Sequence, residues 1–150
     1  MYSRQETTHI KQSFWTNFGQ YMKPVPFAGG EKNSWVNYKT GIQHIYFRMA
    51  AEKDHASVAI EIAHPSEEIR GVQYEQFLKF KTLLHTLSGE EWVWEKNAQD
   101  MNGRTIGRIY QRSDHVNVLK ETDWPQIISF LKPGIISLDA FWEEVKYGFE

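Results

Sequence analysis

His44-Ile-Tyr-Phe-Arg-Met-Ala-Ala-Glu-Lys-Asp-His-Ala-Ser-Val-Ala-Ile-Glu-Ile-Ala-His64 decides the fold of this chain. Ile45, Phe47 and Met49 alternate on one arm, and Val58, Ile60 and Ile62 on the other. A period of two places each trio on one face of a strand, so the stretch predicts a β-hairpin with both trios in a shared core. The same pleat sends Tyr46, Arg48 and Glu61 to the opposite face, which makes that face the first place to look for function.

Outward from the hairpin, the chain alternates helical and extended patterns. Upstream, Ser3 and Glu6 have capping-box spacing, and Ile10, Phe14 and Phe18 form a helical stripe that Pro24 and Pro26 end. A short strand is expected at Trp35–Lys39, with Gly41 turning into the hairpin. Downstream, Ser66 is a suitable N-cap, with Glu67 and Glu68 where the helix dipole favours acids. Ile69, Val72, Phe77, Phe80, Leu84 and Leu87 make the apolar stripe of one helix that Gly89 stops. A second hairpin follows, with Trp92–Glu95 and Arg104–Arg112 as arms around Asp100-Met-Asn-Gly103. Val116–Leu119 is a further short strand candidate. The last helix opens near Thr122-Asp-Trp-Pro125, and Ile127, Leu131, Ile135, Leu138, Trp142 and Val145 keep their register through Pro133, as one kinked helix or a tight helix pair. The expected fold is α+β in a single domain over residues 1–150. Its mostly antiparallel sheet is built from two hairpins, with helices on one face, in the order α-β-β-β-α-β-β-α.

Composition narrows the function classes. The 150 residues include six Trp, seven Tyr and nine Phe, enough large apolar area for a sizeable core. The absence of cysteine removes disulfides, thiolate metal sites and cysteine nucleophiles, and fits a cytoplasmic location. No signal pattern and no membrane-spanning apolar run is present. A net charge of −2 argues against a protein that binds nucleic acid by bulk charge, so such a role needs a local patch.

Two groups of residues are candidates for binding. On the first hairpin, Tyr46 is expected near Glu61 with Arg48 diagonally in reach, a pair suited to orienting an anionic group or else an ordinary wet-face salt bridge. On the second, alternation places Arg104, Ile106, Arg108, Tyr110 and Arg112 on one face, an arrangement that holds phosphates while the ring stacks on a base. The alternative there is pairing of Arg108 and Arg112 with Glu91 or Glu95. Trp92 and Trp94 share a face and are expected in the core.

No catalytic constellation emerges. A restriction-endonuclease-like site needs an Asp and then Glu-x-Lys, because divalent metals take hard oxygen ligands and the lysine polarises water. Glu61-Ile-Ala63 puts alanine where lysine is wanted, Asp54 falls in the turn, and Lys79 or Lys81 would have to substitute. The histidines form no metal-binding spacing, and no phosphate-loop or nucleophile-elbow motif occurs. No cofactor and no metal site is expected.

Phe14-Trp15, Trp35-Val-Asn-Tyr-Lys-Thr-Gly41, Ile45-Tyr-Phe-Arg48, Glu90-Glu-Trp92, Asp123-Trp-Pro125 and Phe141-Trp-Glu-Glu-Val-Lys146 resemble an uncharacterised bacterial family catalogued as domain of unknown function 4268. The resemblance spans nearly the whole chain, as a stand-alone member. Longer relatives carry a similar domain after nuclease-like or other segments, so the resemblance implies an accessory role near DNA metabolism or defence, and it assigns no catalytic residue. Taken together, the expectation is a non-enzymatic interaction domain with nucleic acid, a protein or a second copy of itself as candidate partner. A divergent metal-dependent nuclease using Glu61 and a small-molecule sensor are the rivals.

Overall fold

Strands β1 (Ile45–Ala51) and β2 (His55–Ile62) pair antiparallel, with Ile45 opposite Ile62, Phe47 opposite Ile60 and Met49 opposite Val58. The two apolar trios therefore meet, and all but Met49 are buried. Strands β3 (Val93–Gln99) and β4 (Thr105–Asp114) form the second hairpin. The hairpins join through their inner strands, giving a four-stranded antiparallel sheet in the order β1-β2-β4-β3. The computed structural model describes residues 2–150.

Helices α1 (Arg4–Met22), α2 (Glu67–Lys79), α3 (Lys81–Ser88) and α4 (Trp124–Val145) complete the α+β fold, in the order α-β-β-α-α-β-β-α. Helix α1 opens with the full capping box of Ser3 and Glu6 and buries Phe14, Phe18 and Met22. Helix α4 runs unbroken through Pro133, whose ring lies on the exposed side where the lost backbone bond costs least. It crosses the sheet closely at Gly134, where an added Cβ would stand 2.6 Å from Val58 Cγ1. Helix α2 meets the same sheet face, with Tyr74 beside Gly107. Among the described residues no helix is long and apolar enough to cross a membrane.

Three local expectations are corrected. Trp35–Lys39 is a turn rather than a strand. The Asn33 amide takes the place of a partner strand, accepting from the N–H of Lys39 at 2.9 Å and donating to its carbonyl at 3.0 Å. Such local side-chain bonds compete directly with a ladder. Val116–Leu119 is likewise not a strand: the Val118 N–H reaches the Glu52 carbonyl, while the Leu119 N–H is taken by Asn117 Oδ1. The long helix expected after Ser66 breaks at Phe80 into α2 and α3. Ile69 and Val72 then lie exposed, and Tyr74 and Phe77 carry the burial of α2. Trp92 is buried as expected.

Residues 23–44 have no helix or strand, yet aromatic contacts hold them in place. Phe27 stacks on Trp35 at 4.2 Å between ring centroids, Tyr38 stacks on Phe47 at 5.2 Å, and Phe47 meets Trp142 edge-on at 5.4 Å. Trp142 Nε1 donates to the Thr40 carbonyl at 2.8 Å. At the start of β1 the Thr40 hydroxyl donates to the Ile45 carbonyl at 2.8 Å. Strand β3 is blunted by a register shift between Glu95 and Ala98.

Candidate functional site

Strand pairing brings the two candidate groups onto one sheet face. Across the sheet, Tyr46, Glu61, Arg108 and Glu95 stand in one row. Arg48, Ala59, Tyr110 and Val93 form the next. Helices α2 and α4 occupy the opposite face, where Gly107 and Val58 point. On the polar face Tyr46 and Val93 are exposed, while Arg108, Tyr110 and Glu95 are half-buried. The small side chains of Ser57 and Ala59 on the central strand are buried beneath this layer.

Each guanidinium lies over a tyrosine two residues away on its own strand. Arg48 Cζ is 4.3 Å from the centroid of Tyr46, and Arg108 Cζ is 4.3 Å from that of Tyr110. The Glu61 carboxylate sits between the two arginines, with Oε1 at 3.0 Å from Arg48 Nε and Oε2 at 4.0 Å from Arg108 Nε. Arg112 Nε donates to Asp114 at 2.7 Å, and this bond holds the Asp114 carboxyl below its ordinary range. The Tyr110 hydroxyl donates to Glu95 at 2.7 Å, which raises its pKa, with burial adding to the effect. Arg108 and Arg112 thus find acids, though Glu61 and Asp114 rather than the cross-hairpin Glu91 or Glu95. Three arginines face three carboxylates, and the face is nearly neutral. All three arginines meet their acids through Nε, which turns this edge of each guanidinium toward the resident carboxylate. Arg104 stands apart in the turn before β4, its N–H held by Asp100.

The nuclease reading fares poorly in this geometry. Glu61 is flanked by two cationic side chains, which compete against a divalent ion. Asp54 lies at the far end of the hairpin, bonded to His55 at 2.7 Å, and Lys81 lies over the Trp94 ring on the other sheet face. Among the described residues no three His, Asp or Glu side chains are grouped to hold a metal.

A cleft of about 720 Å³ opens between the 27–42 segment and the end of α4, rather than between helices and sheet. Its wall contains Asp139, a residue that sequence reasoning missed. Asp139 is buried, and its two oxygens accept from the Ala28 N–H at 2.7 Å and the Tyr38 hydroxyl at 2.6 Å. Burial, and then this bond, raises the Tyr38 pKa far above that of a free phenol. The signal was present as a lone acid within the apolar stripe Ile135, Leu138, Trp142. Its two bonds make it a staple for the 23–44 segment.

Neither the curated proteins nor the solved structures yield a match to this chain. A family model does match, over residues 10–146, which covers the sheet, the Tyr/Arg face and the Asp139 staple. The chain accordingly belongs to the family described as domain of unknown function DUF4268.

Proposed function

We propose that the protein is a non-catalytic interaction domain, acting in the cytoplasm, that docks a protein partner on the open face of its sheet. The observation that carries this reading is the coincidence of Tyr46, Arg48, Arg108, Tyr110 and Arg112 on one helix-free face whose charges are already balanced by Glu61, Glu95 and Asp114. Tyrosine and arginine are the residue types that dominate protein interfaces. Balanced charge favours a protein surface over a polyanion, because each phosphate contact would compete with a resident carboxylate.

In-cell photo-crosslinking tests it. A photoreactive phenylalanine placed in turn at Tyr46 and Val93 on the face, and at Gln12 on exposed α1, should give a defined protein adduct from the first two positions only. Adducts that ignore position, or none, would overturn the proposal.

One observation supports nucleic acid as a second reading: the exposed Tyr46 ring with the exposed Arg48 guanidinium beside it. That reading requires binding of single-stranded oligonucleotides at low salt, weakened by the double variant Arg108→Ala/Arg112→Ala and by added salt. No binding at low salt sinks it.

A further inference from the structure

Among the described residues Glu61 is the one carboxylate of the face paired with two guanidinium groups, at 3.0 and 4.0 Å, and it reaches them from an inner strand. Arg48 approaches from β1 and Arg108 from β4, each braced by its own tyrosine ring. A ring beneath each guanidinium favours its present position independently of the carboxylate, so the group keeps a support when its counter-ion changes. Arg48 remains 57% exposed and Glu61 19% exposed, so the pair is reachable from solvent on the arginine side. Glu61 faces the Nε edge of each group, and a guanidinium carries a fork of five N–H donors that matches a carboxylate.

We infer that Arg48 and Arg108 form a clamp for an acidic side chain of the protein partner, and that Glu61 is its resident, self-blocking occupant. The inference rests on the docking reading above and adds the chemistry of the contact. An incoming carboxylate displaces Glu61 from one or both guanidinium groups, so the domain binds acid-bearing partners more weakly than its arginines alone would. A single acid suits the clamp better than a polyanion, since Glu95 and Asp114 stand on the same face and repel further anionic groups.

Acetate is a sufficient probe, followed through the Nε–H resonances of Arg48 and Arg108 by NMR, with Arg70 as a control whose guanidinium is held by the His64 and Pro65 carbonyls. Glu61→Gln should lower the acetate concentration for half-saturation at Arg48 and Arg108 by about fivefold, the factor set by about 1 kcal/mol for an ion pair near the surface. Arg70 should not respond. Glu61→Ala, with the backbone amide spectrum as a check of folding, should behave the same way. Adding Arg48→Gln to Glu61→Gln should abolish the gain. The inference falls if neither Glu61 variant improves acetate binding, if Arg70 responds equally, or if the gain survives loss of Arg48. It also falls if Glu61→Gln gains affinity for a thymidine oligonucleotide and none for acetate. Position-specific crosslinks at Tyr46 and Val93 that persist beside a failed acetate test would retain the docking face and remove only the clamp.

Discussion

Asp139 and Tyr38 show how one buried acid can hold a long irregular segment. Removing the carboxylate in Asp139→Ala strands the Tyr38 hydroxyl and the Ala28 N–H, and should cost about 1–3 kcal/mol in urea unfolding. Tyr38→Phe should cost less, about 1 kcal/mol. The pair also gives a pH signature. The folded phenol titrates above its unfolded value, so its contribution is complete below about pH 10, where an unfolded tyrosine ionises, and declines as pH rises further. The stability difference between wild type and Tyr38→Phe should therefore shrink above about pH 10 and stay constant between about pH 6 and 9. A difference independent of pH would contradict the Tyr38–Asp139 bond. At this scale, sequence reasoning reached Arg48 and Glu61, because a hairpin places cross-strand neighbours by register alone. It missed Asp139, whose partners Ala28 and Tyr38 lie far away in the chain, in a segment with no periodicity to reveal its path.

At the scale of elements, the contact between α4 and the sheet is set by the absence of a side chain at Gly134. Alanine there gains about 1 kcal/mol in helix propensity but must displace Val58, a β-branched residue locked in the core. Gly134→Ala should be net destabilising, by about 1–3 kcal/mol. Combined with Val58→Ala, the cost should be less than the sum of the two single variants, as measured by a double-mutant cycle in urea. Additivity would mean that the helix shifts instead of clashing. Helices with clear apolar stripes, α1 behind its capping box and α4 behind Pro125 in its first turn, were legible from sequence. The single helix expected after Ser66 was not, because the backbone leaves the helical region at Phe80, and Ile69 and Val72 lie exposed outside the apolar face. The strand expected at Trp35–Lys39 failed because Asn33 supplies locally the hydrogen bonds that a ladder would have supplied.

For the whole molecule, two hairpins and four helices share one contiguous core, from Phe14 in α1 to Val145 in α4. Unfolding in urea should be one cooperative transition, with tryptophan fluorescence and far-ultraviolet dichroism giving coincident midpoints. Separated midpoints would indicate two folding units. The α+β class and the two hairpins were readable from alternation and turn chemistry. The joining of β2 to β4 was not, since no local signal decides which edges of two hairpins meet. That joining alone converts two unremarkable polar strand faces into one surface, placing Arg108 across from Glu61.

The aromatic chain through Phe27, Trp35, Tyr38, Phe47 and Trp142 has an optical consequence. Indole and phenol rings fixed at these separations in a chiral setting couple electronically, so part of the near-ultraviolet dichroism of the protein reports on how residues 23–44 are seated. The segment carries no helix or strand, so its release would leave the far-ultraviolet spectrum almost unchanged. The protein thus contains an intrinsic dye for a long part of its chain that ordinary measures of secondary structure cannot see.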